Sequence, residues 1–274
     1  MPDQRSLPPE LYTEEYFLNA CEGYEEFTES QGERLSRRLS AAFAVASVQP
    51  GMKVLDVGCG RGEILRHCAR LGADAYGVDY APVAVELASK VVADQRGAPG
   101  KMGAAHVAQS DAKRLPFARR YFDRALMFDV VEHLYPWELE QSLAEIRRVL
   151  RPGGALIVHT APNVWYDRYA YPLVRFTRRL MGQGTRYPKN PRALNVSANV
   201  EVHVNEQSQW SLRRRLRRAG FRHVTAWLES PPQNRQEHRL LAATRFLLFK
   251  LPPFRYFFER EVFAVGVEPT EDEG

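Results

Sequence analysis

The sequence predicts an α/β fold whose mostly parallel sheet is covered by helices on both faces. Short apolar, strand-like runs alternate with helical patterns from about residue 51 to residue 162. Such alternation implies right-handed crossovers between parallel strands, and the crossover helices then cover both faces of the sheet. A glycine-rich turn directly after the first of these strands predicts a ligand at the carboxyl edge of the sheet.

The elements before and between the strands follow from local patterns. Residues 1–50 predict an N-terminal arm of short helices, the last over residues 33–47, where Leu35, Leu39 and Phe43 share one face. The clearest later helix is "WELEQSLAEIRRVL", in which apolar residues recur up to Leu150 before "RPGG" ends it. The predicted strands are "KVLDVG", "AYGVDY", "HVAQSD", "RALMFDVV", "ALIVHT" and "REVFAVGV".

Two segments interrupt this rhythm within a predicted domain over residues 51–267. Residues 164–200 are basic, aromatic and proline-rich, which predicts a lid insertion after the fifth strand. A second, apolar insertion covers about residues 231–258, and we favour its burial or packing against the lid over an amphipathic position on a membrane surface. The helix at "SLRRRLRRAG" is expected to turn its leucines inward, and residues 268–274 are expected to be a disordered tail.

Composition limits the class of protein. The chain has 274 residues, of which 45% are hydrophobic and 26% charged, as in an ordinary soluble globular protein. Its formal charge of +5 does not by itself indicate a nucleic-acid partner. Three cysteines without a CxxC pair, and a first segment without the pattern of a signal peptide, predict a cytoplasmic location and no zinc site.

The turn "VLDVGCGRG" carries the chemistry of the predicted ligand site. Its glycines permit unusual backbone angles and close approach of a ligand, and they are Gly58, Gly60 and Gly62. The dinucleotide fingerprint G-x-G-x-x-G fails at Glu63, whose carboxylate would be a poor neighbour for a pyrophosphate. Asp56 suits an ammonium or sulfonium group, and Asp79 ends the next strand, where it can accept ribose hydroxyls. A cationic nucleoside is therefore favoured over NAD.

At these residues the chain resembles the class I S-adenosylmethionine-dependent methyltransferases, in the small-molecule branch that includes quinone-biosynthesis O-methyltransferases. The resemblance covers roughly residues 51–162 and rests on "VLDVGCGRG", "AYGVDY", "SDAKRLPF", "FDRALMFDVVEHL" and "RVLRPGGALIV", in that order. It implies a Rossmann-like, seven-stranded, mostly parallel sheet and S-adenosylmethionine as the cofactor.

The resemblance also implies a role for each matching residue. Gly58 and Gly60 would contact the methionine part of the cofactor, and Asp56 its ammonium group. Asp79 would bind the ribose hydroxyls, with Tyr80 beside the adenine. The remaining implied adenine and cofactor contacts are Asp111, the amide of Ala112, and Phe128.

The stretch "DVVEHL" after the fourth strand supplies candidate catalytic residues. Asp129, Glu132 and His133 would share one face if a helix began there. The stretch resembles the carboxylate-x-x-Glu-His pattern of quinone-biosynthesis O-methyltransferases and of small-RNA 2′-O-methyltransferases, where a downstream histidine helps to hold a metal. His203 is the first downstream candidate here and His159 the second. Three interpretations of Glu132, His133 and His203 stay open: a structural role, a general base, and a divalent metal site, which is not favoured.

The sequence thus predicts a methyltransferase that acts on a small-molecule acceptor, with an oxygen of a glycan, lipid or quinone-like compound preferred. Contact with a membrane or a lipid-linked substrate stays open, and no nucleic-acid partner is favoured. An RNA 2′-O-methyltransferase and a non-catalytic, cofactor-binding regulatory protein are the alternatives, while Glu63 disfavours an NAD-dependent oxidoreductase. The oligomeric state is not predicted.

Overall fold

A seven-stranded sheet forms the centre of the described part of the protein. The computed structural model describes residues 6–21, 23–94, 103–194, 197–230 and 239–273. The strands are β1 (Lys53–Val57), β2 (Asp74–Asp79), β3 (Ala105–Gln109), β4 (Phe122–Phe128), β5 (Leu150–Thr160), β6 (Arg222–Leu228) and β7 (Val262–Val267). Their order is β3-β2-β1-β4-β5-β7-β6, with β7 antiparallel to β5 and β6. The predicted seven-stranded, mostly parallel sheet is confirmed.

Helices cover both faces of this sheet. They are α1 (Glu14–Asn19), α2 (Tyr24–Ser30), α3 (Arg37–Ala46), α4 (Glu63–Arg70), α5 (Pro82–Asp94), α6 (Pro136–Val149), α7 (Tyr171–Leu180), α8 (Asn199–Val202), α9 (Gln209–Arg218), α10 (Arg239–Lys250) and α11 (Arg255–Phe258). One apolar cluster joins α6 and α9 to the sheet, and a second joins α3, α4 and α5. Successive residues of β4, such as Met127 and Phe128, enter opposite clusters because strand side chains alternate between the two faces.

The helix predicted to run through Leu150 ends one residue earlier. Leu150 instead pairs with Phe122 of β4 and begins β5, so "RPGG" belongs to the strand and does not separate it from the helix. Strand pairing with a distant segment outweighs the helical spacing of Leu150. The prediction for α9 is confirmed, since Leu212 and Leu216 are fully buried.

The two predicted insertions meet in a small aromatic core. Tyr166, Ala170 and Tyr171, from a π-helical turn (Tyr166–Ala170) and the start of α7, pack against Phe257 and Phe258. The action of residues 164–200 as a lid stays a prediction. Residues 231–238 of the second insertion lie outside the described residues.

For the second insertion the sequence predicts burial or packing against the lid, and its described part combines packing against the lid with exposed apolar side chains. Phe246, Leu247, Leu251 and Phe254 are exposed. The insertion packs against the lid through α11, whose Phe257 and Phe258 contact the aromatic core around Tyr166 and Tyr171. Helix α10 in turn contacts α11, as in the ring pair Phe249–Phe258 at 6.2 Å.

The chain after β7 also differs from its prediction as a disordered tail. Glu268 forms an ion pair with Arg147 of α6 at 2.7 Å, and Glu271 one with Arg120 at 2.8 Å. Residues 271–273 form a short 3₁₀ helix. The acidic composition of the segment therefore matches a basic surface of the domain.

A buried ionic cluster joins four elements at the carboxyl end of the central strands. His159, the second downstream histidine candidate, lies on β5 and is fully buried. Its two ring nitrogens lie 2.9 Å from carboxylate oxygens of Asp129 and Glu261, although only the Glu261 contact has hydrogen-bond alignment. Arg38 of α3 approaches the same two carboxylates at 3.3 Å and 3.6 Å. The cluster thus contains two positive and two negative groups when His159 is protonated.

The two carboxylates stabilise the charged form of His159. Burial opposes its charge, but Asp129 and Glu261 raise the pKa of His159 to about 9. Burial likewise opposes the charge of Asp129, yet Arg38 and then His159 hold the pKa of that carboxyl below its ordinary value. A buried charge is tolerated only when it is paired in this way.

The pKa of His159 predicts a pH-dependent contribution to stability. Below about pH 6.5 both the folded and the unfolded imidazole are protonated, and the contribution is fully present. It should be lost as the pH rises towards about 9, and the gap between the two pKa values corresponds to at most about 3 kcal/mol. In the His159→Gln variant this part of the pH slope should vanish in urea unfolding experiments. Wild-type and variant stabilities that stay parallel across this range would contradict the assignment.

Candidate active site

The carboxyl ends of β1, β2 and β4 open onto a cavity of about 350 Å³. Most residues that the sequence singled out line it, namely Asp56, Gly58, Gly60, Asp79, Tyr80, Asp111, Ala112, Phe128 and His133. Gly62, Glu132 and His203 are not among the lining residues. The structure thus brings together the predicted cofactor residues at one sheet edge, with one exception among the glycines.

The exception is Gly62, where the packing of α4 against α5 leaves no room for a side chain. A Cβ atom there would lie 2.9 Å from Cα of Ala88 on α5, and its φ is +85°. At Gly58, by contrast, a Cβ atom would meet the side chain of Val130 at 2.5 Å, beside the cavity. Close contact between the start of α4 and α5 therefore requires Gly62, and direct approach of a ligand is not needed to explain it.

Two acidic residues of the cavity, Asp79 and Asp56, have different surroundings. Asp79 accepts hydrogen bonds from the backbone N–H groups of Gly60 and Ala81 at 3.1 Å and 3.0 Å, which ties the glycine turn to the end of β2. Asp56 is buried, and burial, followed by the nearby Glu63 and Asp79, raises the pKa of Asp56 to about 8. A positively charged ligand would bind favourably beside Asp56, because a cation would stabilise its ionised carboxylate.

The adenine-side candidates stand at the rim of the cavity. Asp111 accepts a hydrogen bond from the backbone of Lys113 at 2.8 Å and pairs with its ammonium group at 2.9 Å. The same ammonium group reaches Glu138 of α6 at 2.7 Å. Lys113 therefore links the rim to α6, a role that no sequence pattern indicated.

The N-terminal arm forms one wall of the cavity. Tyr12, Tyr16 and Phe17 line it, and the ring of Tyr12 packs edge-on against Tyr80 at 5.6 Å. The sequence prediction treated this segment only as an arm of short helices. Its interleaved aromatics, "ELYTEEYFLNACEGYEEF", were the signal that it has an apolar surface to cover.

Arg61, in the glycine turn, fastens the arm to the domain. Its guanidinium donates to the carbonyl of Phe17 at 2.7 Å and reaches the carbonyl of Cys21 at 3.5 Å. It also forms two hydrogen bonds to Glu63, at 3.0 Å and 2.6 Å. Arg61 and Glu63 are both buried, so each neutralises the other where water cannot.

The candidate catalytic residues do not share a helix face as the sequence suggested. Asp129 has a positive φ of 54°, only a 3₁₀ turn (Val131–His133) follows, and α6 begins at Pro136. Asp129 consequently joins the ionic cluster with Arg38 and His159. Glu132 turns elsewhere, and its carboxylate accepts a hydrogen bond from the hydroxyl of Thr160 at 2.7 Å.

His133 and His203 nevertheless meet beside the cavity. Their rings pack edge to face with centroids 4.9 Å apart. The contact arises because the backbone N–H groups of Val204 and Asn205 donate to the carbonyl of Glu132 at 2.8 Å and 3.1 Å. Ligand atoms of Glu132, His133 and His203 lie within 4.8 Å of one another, a group that could hold a metal ion.

Burial sets the protonation of this group. It lowers the pKa of His133 to about 4, and with the help of His133 it lowers the pKa of His203 to about 3. Burial, and next the charge of Asp129, raises the pKa of Glu132 to about 8. Near neutral pH the two imidazoles are therefore uncharged.

The two histidines differ in the hydrogen-bond partners of their ring nitrogens. Nδ1 of His133 lies 3.1 Å from the hydroxyl of Tyr12, and the ring also bonds to the carbonyl of Val202. Nδ1 of His203 is buried and has no hydrogen-bond partner among the described residues. An unsatisfied buried acceptor is costly, so it is a candidate for a functional role.

The role of Arg61 can be tested through the mobility of the arm. Arg61→Met should leave Glu63 buried and unpaired, at a cost of about 3–5 kcal/mol in the free energy of unfolding. Hydrogen exchange of residues 9–30 should rise more than that of β1 and β4. Arg70→Met removes an exposed ion pair to Glu33 and should cost about 1 kcal/mol or less. Equal exchange of the arm in both variants would show that Arg61 does not hold it.

Comparisons with known proteins agree with this geometry. Residues 55–158 match the family described as "Methyltransferase domain". The ubiquinone/menaquinone biosynthesis C-methyltransferase UbiE of Bordetella parapertussis is 34% identical over 138 residues, which are 50% of each chain. A ubiquinone biosynthesis O-methyltransferase of Cereibacter sphaeroides is 36% identical over 110 residues, 40% of this chain and 41% of that protein. The chain thus matches about half the length of these curated relatives or less.

Solved structures extend the likeness of the fold beyond the matched segment. The structure of a SAM-dependent methyltransferase from Methanosarcina mazei has a TM-score of 0.55 at 18% identity, and the match covers 83% of this chain and 97% of that one. At this identity the likeness concerns the fold alone. Residues 55–158 thus match a methyltransferase domain, and the sheet order and the glycine turn agree with a Rossmann-like methyltransferase fold.

Proposed function

We propose that this protein transfers a methyl group from S-adenosylmethionine to an oxygen of a small, quinone-like or lipid-like acceptor. The contact between His133, which lines the cavity, and His203, which packs against its ring, carries the proposal. The relatives named above act in quinone biosynthesis, one as a C- and one as an O-methyltransferase, which supports a quinone-like acceptor without deciding the atom.

The residues of the cavity fit the cofactor of this family. S-adenosylmethionine, when bound, supplies a methyl group activated by a positively charged sulfur. Asp56 and Asp79 would offer carboxylates to its ammonium and ribose groups, respectively. Asp111 and Tyr80 would border the adenine, and the pKa of Asp56, raised to about 8, favours a cationic ligand at that position.

The histidine pair would take the proton of the acceptor hydroxyl. Both imidazoles are neutral near pH 7, and Nδ1 of His203 is the nitrogen left without a partner among the described residues. His133 borders the cavity and would orient the ring of His203 through their edge-to-face contact. A positioned base contributes typically about 10²–10⁴-fold to a rate when its pKa lies near the working pH, so this role requires that the low pKa values of the two imidazoles rise when the acceptor binds.

The metal alternative would use the same group differently. Glu132, His133 and His203 could supply one carboxylate and two imidazole ligands. Asp129, the first carboxylate of the motif, is already engaged by Arg38 and His159. We therefore prefer the base over the metal site, and chelation distinguishes these two interpretations.

RNA also belongs among the acceptors to be tested. Helix α9 exposes four arginines beside Trp210, a combination that nucleic-acid surfaces use. These are Arg213, Arg214, Arg217 and Arg218. Label from the cofactor that appears in RNA and not in small molecules would replace the preferred acceptor.

Alanine variants of the two histidines test the proposed base. His133→Ala and His203→Ala should each lower turnover by about 10²-fold or more, while affinity for S-adenosylhomocysteine stays within a few-fold. His106→Ala is the matched control, since that exposed histidine lies on β3. Normal turnover in both variants would return the pair to a structural role. Loss of activity in EDTA, restored by Mg²⁺, Mn²⁺ or Zn²⁺, would favour the metal site.

A second test addresses the cofactor contacts of Asp79. Asp79→Ala removes the proposed ribose acceptor and should weaken S-adenosylhomocysteine binding by about ten- to hundred-fold, or roughly 1.5–3 kcal/mol. Isothermal calorimetry measures the change, and circular dichroism checks the fold because Asp79 also bonds to Gly60 and Ala81. Asp74→Ala, at the other end of β2, is the control. Unchanged affinity in Asp79→Ala would rule out the ribose contact.

A further inference from the structure

Helix α7 turns its apolar side outward. Leu173, Phe176 and Leu180 follow the spacing of one helical face, and their exposed fractions are 55%, 61% and 73%. Met181, at the end of the helix, is also exposed. A helix of a globular protein ordinarily buries such a face against the core.

The polar side of the same helix is the one that packs against the protein. Arg175 and Arg178 are half-buried, and they donate to the carbonyl of Tyr187 at 3.1 Å and to Gln183 at 3.0 Å. The guanidinium of Arg178 also lies over the ring of Tyr187. Tyr171, at the start of the helix, is buried and donates to the carbonyl of Pro188 at 2.7 Å. These bonds hold the helix in the orientation in which Leu173, Phe176 and Leu180 face solvent.

The segment around this face is strongly cationic. Residues 168–200 contain seven lysines and arginines and no aspartate or glutamate. Arg179 is exposed and lies three residues from Phe176, so it borders the apolar face. Other exposed cations of the segment are Arg168, Arg186 and Lys189.

We propose that the outer face of α7 docks on an anionic lipid surface. An apolar helical face bordered by cations is the pattern of helices that lie in the plane of a membrane interface. No helix within the described residues is long and apolar enough to cross a bilayer, so the contact is one of lying on the membrane. The exposed Phe246, Leu247, Leu251 and Phe254 add a second apolar strip, held near the base of α7 by the shared aromatic core.

Charge argues for lipid over a second copy of the chain as the occupant. A symmetric contact between two copies of this face would bring two cationic segments together. Anionic headgroups instead complement the arginines and lysine while the acyl region accepts the apolar side chains. This inference is independent of the methyl acceptor, because docking needs no turnover.

Vesicle flotation with the full chain tests the proposal. The wild type should bind vesicles that contain phosphatidylglycerol at least ten-fold better than vesicles of phosphatidylcholine alone, and added salt should weaken the binding. The double variant Phe176→Ser/Leu180→Ser should lose at least ten-fold in affinity for the anionic vesicles. Arg179→Gln/Lys189→Gln should lower the preference for anionic over neutral vesicles. Leu71→Ser, an exposed leucine after α4, is the matched control and should bind as the wild type does.

Two further measurements separate docking from its rivals. Calorimetry with S-adenosylhomocysteine should give equal affinities for the wild type and both double variants, which shows that the domain stays folded. Flotation of the wild type no better than that of the Phe176→Ser/Leu180→Ser variant would overturn the proposal. So would a wild type that is dimeric in solution and becomes monomeric in that variant, since the face would then belong to a second copy. Failure of the methyl transfer assay leaves the flotation result unchanged, so the two proposals fail separately.

Discussion

The candidate active site depends on the pairing of the protonated His159 ring with two carboxylates at the carboxyl end of β5. Asp129 and Glu261 enclose the imidazole, and Arg38 balances the second carboxylate. Because unpaired charges in this interior would be costly, the four side chains fix the ends of β4 and β5, the start of β7 and the helix α3 relative to one another. The chain leaves β4 through the strained backbone of Asp129, and this exit directs Glu132 and His133 to their positions.

The sequence predicted the sheet and the cofactor edge well because both depend on local patterns. A run such as "KVLDVG" favours a strand by its own composition. The glycines after it adopt left-handed backbone angles, and this conformation does not depend on which ligand binds. The meeting of His133 and His203 was anticipated from the motif and its downstream histidine. The helix face predicted for Asp129, Glu132 and His133 does not form, and the two histidines meet because the backbone N–H groups of residues 204 and 205 donate to the carbonyl of Glu132.

The remaining features depend on partners that lie far away in the chain. Asp129 is separated by 91 residues from Arg38, and no local spacing indicates that pair. Leu150 has the period of a helix, yet Phe122 draws it into the sheet. The orientation of α7 could not be predicted either, because its periodicity indicates an apolar face but not whether that face turns inward. Contacts of Arg175 and Arg178 with the segment that follows the helix decide the question.

The position of β7 has a consequence for how the protein is made. Of the seven described strands this one comes last in the chain, yet it lies inside the sheet, between β5 and β6. Until it leaves the ribosome, β5 presents an open edge of unpaired backbone groups, and β6 has no neighbour within the sheet. Open edges of this kind recruit strands from other chains. Nascent chains that stop short of residue 262 should therefore be the forms most in need of chaperones, even though the whole cofactor edge has by then been synthesised.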